Sequence, residues 1–284
     1  MLVYSRVHGY FSTEYRSRDP LMDVKKLVST LVFSVLLVTY SNRAVADTFG
    51  TGQNAFEIEF VTIGIPGNAH DTFNVSNGHP QGSVNYTFRM GKYEVQTDAL
   101  NKANTEGGLG IYHQGDASVA PIWRIAPDKP AYYLSWYGAA TFVNWLNEST
   151  GNVPAYKFDS GGNFQLWEAS DPGYDPQNLY RNSLTQYVLP DVDEWYKAAY
   201  YDGELDVYYD YPMGSNDLPD GIDFEGDTTF DAVFSDGYEE LFGVGGPMND
   251  YMDVGIASPY GTYGQGGNVW EWEETPKDYV ADSP

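Results

Sequence analysis

The sequence predicts an α+β domain with much irregular structure over residues 47–284. Three features predict it: a run of alternating apolar and polar residues from Phe56 to Val61, three short helical patterns with recognisable caps, and long Gly, Asn, Pro and Tyr-rich stretches between them. With 42% hydrophobic and 16% aromatic residues the chain can bury a core, which excludes a disordered tail or a coiled coil.

The elements follow in order. Phe56-Glu57-Ile58-Glu59-Phe60-Val61 reads as a half-buried strand that ends in the turn residues Ile65-Pro66-Gly67-Asn68. A second strand is expected from Tyr86 to Val95. Thr97 can cap a short helix with Asp98 in its first turn, and Gly107-Gly108-Leu109-Gly110 closes it. Ser135 is a good N-cap for a helix from Trp136 to Asn147, in which Ala139, Phe142, Val143 and Leu146 form one buried stripe, and Gly151 stops it. A third helix starts at the near capping box Asp191-Val192-Asp193-Glu194 and runs through Trp195, Ala198 and Ala199.

Charge and the amino terminus bound the setting. Fifteen Lys and Arg against 40 Asp and Glu give a net charge of −25. Such a field repels phosphate backbones and anionic lipid surfaces, so nucleic-acid and membrane-surface partners are not expected. Lys25 and Lys26 precede an apolar run from Leu27 to Val38, followed by Ala44-Val45-Ala46, the layout of a secretory signal peptide. Twelve residues at about 1.5 Å each fall well short of the ~30 Å hydrocarbon core, so no permanent membrane span is expected. Residues 1–46 are therefore read as a leader cleaved after Ala46, with Met22 as the true start and an uncleaved anchor as the second reading. The expected setting is exported: periplasmic, cell-surface or extracellular. With the leader gone, 9 basic and 37 acidic residues leave −28. An exported chain of this size with no Cys points to a bacterium.

Residues 202–253 hold fifteen acidic residues and no basic one. A long solvated loop is the plain reading of that stretch, and bound divalent cations, most plausibly Ca²⁺, are the alternative. His70, His79 and His113 lack metal-ligand spacing and read as surface histidines. Gly243-Val244-Gly245-Gly246 and Gly264-Gln265-Gly266-Gly267 read as turns rather than phosphate loops. Trp136, Trp145, Trp195, Trp270 and Trp272 read mostly as core residues whose indole N–H needs a partner. Glu271 stands between two Trp in an apolar segment, so its burial requires a cation or several donors.

Four segments, in this order and spacing, resemble the sulfatase-modifying factor family, which includes the formylglycine-generating enzymes. They are Met90-Gly91-Lys92-Tyr93-Glu94-Val95; Leu134-Ser135-Trp136-Tyr137 running into Phe142-Val143-Asn144-Trp145-Leu146; Leu189-Pro190-Asp191 through Trp195-Tyr196-Lys197-Ala198-Ala199; and Gly266-Gly267-Asn268-Val269-Trp270-Glu271-Trp272. Tyr211-Pro212-Met213-Gly214 is a further element, with Met213 where the family usually has Trp. The resemblance implies a C-type-lectin-like fold: a small twisted sheet, short helices and many loops. It also implies a structural Ca²⁺ held by the Glu271 carboxylate and the carbonyl oxygens of Gly267 and Val269, while Gly264 stands where the family has Asn or Asp.

The family's oxidases use a Cys pair that binds copper. This chain has no Cys, so neither copper nor catalytic residues are expected in it as given, and the last strands of the domain are expected beyond Pro284. The resulting expectation is an exported, non-catalytic binding or surface module with an unknown protein or glycan ligand. The alternatives are a formylglycine-generating oxidase acting on sulfatases, with its Cys pair past residue 284, and a carbohydrate-binding module or glycoside hydrolase.

Overall fold

The computed structural model describes residues 4–6, 44–72, 80–113, 127, 129–217, 255–267 and 269–275. Of the expected leader, only residues 4–6 and 44–46 are among them; Met22 and the apolar run from Leu27 to Val38 lie outside, as do residues 218–254 of the acidic stretch.

The alternation at Phe56 produces the strand it predicts. Strands β1 (Tyr4–Arg6), β2 (Val45–Phe49), β3 (Phe56–Ile63), β4 (Phe88–Gly91) and β7 (Tyr187–Val188) form one sheet in the order β2-β3-β4-β1-β7, antiparallel throughout. In β3 the residues Phe56, Ile58 and Phe60 point into one buried face. Val61 and Ile63 are buried on the other face, because the segment around Gly261 covers Val61 there. β2 and β3 are joined by a single turn of 3₁₀ helix, Gly52–Asn54. Gly50 is required at its entrance: φ is +71° and a Cβ would stand 2.5 Å from the Asn54 carbonyl oxygen.

The second expected strand is shorter than the Tyr86–Val95 run. After Gly91 the backbone leaves β3 with one last bond, Lys92 N to Glu59 O at 2.8 Å. It then pairs with residues 129–131 instead, through Ala131 N to Val95 O and Thr97 N to Lys129 O, both 2.8 Å.

Helices α1 (Thr97–Gly107) and α2 (Trp136–Ser149) close the core over the sheet. Gly108, at φ +62°, ends α1, and the Ser135 side chain accepts the Gly138 N–H at the start of α2. Ala139, Phe142, Val143 and Leu146 of α2 are fully buried, as are Leu100 and Ala103 of α1. Trp145 and Phe142 stack on Phe56, with ring centroids 5.9 and 6.3 Å away.

Two short hairpins, β5 (Lys157–Phe158) with β6 (Phe164–Gln165) and β8 (Tyr201–Asp202) with β9 (Val207–Tyr208), flank helix α3 (Val192–Tyr200). The capping box is complete: Asp191 accepts the Glu194 N–H at 2.9 Å and Glu194 accepts the Asp191 N–H at 2.8 Å. His113 is fully buried against Asn101 at 3.1 Å, in place of the surface position expected of it, because the chain leaving α1 folds back under that helix.

One polar side chain fastens the sheet to α2. Asn147 is completely buried; its amide donates to the carbonyls of Val143 (2.9 Å) and Tyr187 (2.8 Å), and its carbonyl accepts from Gln186 N (3.1 Å) and Tyr187 N (2.9 Å). Asn147→Leu leaves those β7 backbone groups buried without partners. The expected loss is about 2–3 kcal/mol of unfolding free energy in urea titration, against less than about 0.5 kcal/mol for a surface substitution such as Glu148→Gln.

Candidate functional site

The expected ligand residues lie in the segment 255–275, whose described residues form neither strand nor helix and are held largely by side chains. Its first part docks through Tyr263, whose N–H reaches Lys92 O at 2.9 Å and whose ring stacks on Tyr93 at 5.2 Å. Thr262, fully buried, donates to Ala198 O of α3 at 3.2 Å. The second part is clasped by two indoles: Trp272 Nε1 donates to Leu134 O at 2.9 Å, and Trp136 Nε1 donates to Glu273 O at 3.1 Å. Glu274 N to Pro190 O and Val192 N to Thr275 Oγ1, both 2.9 Å, tie the same stretch to the start of α3.

Glu271 lies against α3. Its Oε2 accepts a hydrogen bond from Trp195 Nε1, while its Oε1 is enclosed with no hydrogen-bond partner among the described residues. Burial pushes this carboxyl up to about 7, and burial followed by the Glu271 charge does the same to Glu273. Tyr200 beside them is raised to about 12 by burial and by the two carboxylates. Val269 is buried and Gly267 half-buried in the turn that begins at Gly266. The three expected ligand residues thus fall in one five-residue stretch, with Asn268 between them outside the described residues.

An enclosed carboxylate oxygen without a donor among the described residues is the kind of group a hard cation satisfies. Gly264 adds a detail that the motif does not reveal. At φ +74° it carries no side chain, and a Cβ there would stand 3.1 Å from Glu94 Oε2. The buried Glu94 carboxylate therefore occupies the space in which an Asn or Asp side chain at 264 would begin. Among the described residues no group of three or more His, Asp or Glu side chains is placed to hold a metal ion by itself.

A buried ion network adjoins the segment. The Arg181 guanidinium makes a bidentate pair with Glu194 (2.9 and 3.0 Å), and its Nε lies 3.5 Å from Glu274 Oε2. Glu274 in turn accepts from Tyr156 OH (2.6 Å) and Asn178 Nδ2 (3.2 Å), and Tyr156 OH accepts the Leu189 N–H at 2.7 Å. Arg181 holds the Glu194 carboxyl below its ordinary value against the cost of burial, while burial prevails at Glu274 and raises it. Sequence reasoning reached Glu194 as a cap and missed Arg181, Tyr156 and Glu274 as its partners.

The segment also carries an aromatic surface. Trp270 is 95% exposed, where a core role was expected, and Trp272 is 41% exposed. Trp272 is bonded to Leu134 O, and two tyrosines near Leu134 in sequence, Tyr133 and Tyr137, are 72% and 52% exposed. A cleft of about 330 Å³ opens between β3 and α1, lined by Glu57, Glu59, Tyr93, Glu94, Asp98 and Lys102 among others.

Lys197 of α3 is fully buried, with Nζ donating to Ile65 O at 2.8 Å. Desolvation pulls its ammonium down to about 8. The unfolded chain, near 10.5, then holds one more proton than the folded chain between these values. The Lys197 contribution to stability therefore rises by roughly 1 kcal/mol per pH unit between pH 8 and 9, below the range in which the unfolded tyrosines titrate. Lys197→Met should remove that contribution, so the stability difference between the two chains should change by about that amount between denaturant titrations at pH 8 and pH 9; an unchanged difference would show that the lysine is solvated.

The model of the sulfatase-modifying factor enzyme 1-like domain matches residues 58–279 of the 284. Among solved structures, Treponema denticola variable protein 1 is similar at 19% identity, with 81% of this chain and 76% of that one covered and a TM-score of 0.49. No curated protein matches. The chain belongs to the sulfatase-modifying factor enzyme 1-like family and has its C-type-lectin-like fold.

Proposed function

We propose that this chain is an exported bacterial surface module of the family that binds a glycan and performs no copper-dependent oxidation. The observation that carries this reading is the exposure of four large rings, Trp270 and Trp272 in the family motif and Tyr133 and Tyr137 on either side of the Leu134 to which Trp272 is bonded. Exposed rings of this kind stack on sugar faces. The family's oxidative chemistry runs on thiols, and the 284 residues contain none. A structural Ca²⁺ on Glu271, Gly267 and Val269 would keep the segment that carries Trp270 and Trp272 in place. When bound, the ion supplies charge neutralisation for the enclosed Glu271 oxygen; Trp195 orients the other oxygen.

Trp270 makes the test clean, because a side chain that is almost wholly exposed contributes little to folding. On a glycan array the full chain should bind, and Trp270→Ala should bind at least tenfold more weakly with an unchanged melting temperature. A blank array for the unmodified chain would defeat the glycan reading, and oxidation of a cysteine-containing sulfatase peptide by the purified chain would defeat the non-catalytic one.

For the cation, millimolar Ca²⁺ should raise the melting temperature of the chain relative to chelator, since a ligand that binds only the folded state stabilises it by mass action. Glu271→Gln should abolish that rise. Coincident melting curves with and without Ca²⁺ would exclude the site.

A further inference from the structure

A row of aromatic rings links α3 to the β8–β9 hairpin. Trp195 and Tyr200 of α3 stand 5.7 Å apart between ring centroids, and Tyr200 lies 4.7 Å from Tyr196 on the same helix. Tyr196 meets Tyr208 of β9 at 5.6 Å, and Tyr208 meets Tyr201 of β8 at 4.9 Å. Every step falls within the range of an aromatic pair in contact. Thiols are the usual sink for oxidants, and this chain has none. Indole and phenol are then the side chains that give up a single electron most readily.

Two of the phenols are joined to proton acceptors. Tyr196 OH donates to Asp71 Oδ2 and Tyr201 OH to Asp206 Oδ1, each at 2.7 Å, whereas Tyr208 OH donates to the Gly82 carbonyl oxygen at 2.7 Å. A carboxylate can take the phenolic proton when the electron leaves; a carbonyl oxygen cannot. Asp206 is exposed in the turn between β8 and β9, in the left-handed region at φ +56° that Asp and Asn tolerate better than other side chains. It turns back onto Tyr201, which is 1% exposed, and so connects a buried ring to solvent by one proton step. The Lys197 ammonium, 5.9 Å from the Tyr201 ring centroid, disfavours a positive ring there, so electron and proton leave Tyr201 together.

We propose that these five rings form a hole-transfer path that carries oxidising equivalents from Trp195, beside the Glu271 segment, to Tyr201. A peroxyl-type radical in solution takes one electron from Trp195 and, with a proton from solvent, becomes a hydroperoxide. Tyr200, Tyr196 and Tyr208 each pass an electron back in turn, and Asp71 lets Tyr196 release and recover its proton in passing. Tyr201 supplies the last electron as its O–H bond breaks and Asp206 takes the proton, which leaves a neutral phenoxyl radical. A soluble reductant of the ascorbate type returns the electron, and Asp206 returns the proton. The path is independent of glycan binding.

The natural lack of Cys allows a ruthenium photo-oxidant to be attached at one point, Trp270→Cys, an almost fully exposed position next to the Glu271 that bonds Trp195. Flash oxidation of the labelled full chain should give a tyrosyl signal in electron paramagnetic resonance, and a nitroso spin trap followed by peptide mapping should find the adduct on Tyr201. Tyr196→Phe keeps the ring and removes the relay, so the Tyr201 adduct should be lost and oxidation should stop at Trp195 and Tyr200. An undiminished Tyr201 adduct in that variant, or a labelled parent chain in which Tyr201 is never trapped, overturns the proposal. Should Tyr196→Phe not fold, Asp206→Asn replaces an exposed turn residue by one equally suited to φ +56° and removes only the proton acceptor. It should leave the melting temperature unchanged and abolish the Tyr201 adduct; an adduct that persists overturns the proposal.

Discussion

The Arg181 guanidinium is the contact on which the irregular half of the domain depends. One buried cation faces Glu194 at the start of α3, Glu274 in the 255–275 segment and, at 3.8 Å, Asp191, while Tyr86 from the strand side reaches both Arg181 and Glu194. Four stretches of chain that share no ladder meet there. Burying such charges contributes little compared with a well-packed apolar cluster, but leaving any one of them unpaired costs about 3–5 kcal/mol. The network therefore acts less as a source of stability than as a geometric specification, satisfied in one arrangement of loops and heavily penalised in others.

The two halves of the molecule are built by different physics. Around the sheet, α1 and α2 bury Phe56, Phe60, Phe88, Phe142, Val143 and Leu146, and any neighbouring apolar shape of similar volume would serve. From residue 153 onward, strands shrink to two residues and the backbone is satisfied mostly by side chains: Trp167 Nε1 on Ala155 O, Thr185 on Val153 O, Asn144 on both ends of Tyr156, and the two indoles on the 272–275 stretch. This explains the weight of Trp, Tyr and Asn in the composition. Each of these side chains covers apolar area and still brings one or two hydrogen bonds to a loop that has no ladder of its own.

Local chemistry was legible in the sequence, and distant pairing was not. The alternation in β3, the Ser135 cap and the Asp191–Glu194 box are decided by residues within four positions of each other, so the sequence predicts them nearly to the residue. The family motifs located the stretch that holds Glu271, Gly267 and Val269. Arg181 had no periodic neighbour to mark it, and its partners lie 13 and 93 residues away. Asn147 looked like the fading end of a helix, although it fastens a strand forty residues downstream. β1 carries no strand signature in Tyr-Ser-Arg; its conformation is imposed by the edges on either side. Trp195 and Trp270 each stand next to a glutamate in the sequence, yet the first faces Glu271 and the second faces water.

The stretch from Glu271 to Thr275 is held by side-chain bonds along its length, and it has no regular structure to keep part of it in place if the rest detaches. Its Glu274 carboxylate closes the Arg181 network, while its indoles face solvent. These are one latch with two sides: opening it strips the guanidinium of a counter-charge and displaces the exposed indoles in the same event. Occupancy of the outer face and integrity of the interior are then two readings of a single equilibrium, and a ligand that grips the indoles tightens a charge cluster it never touches.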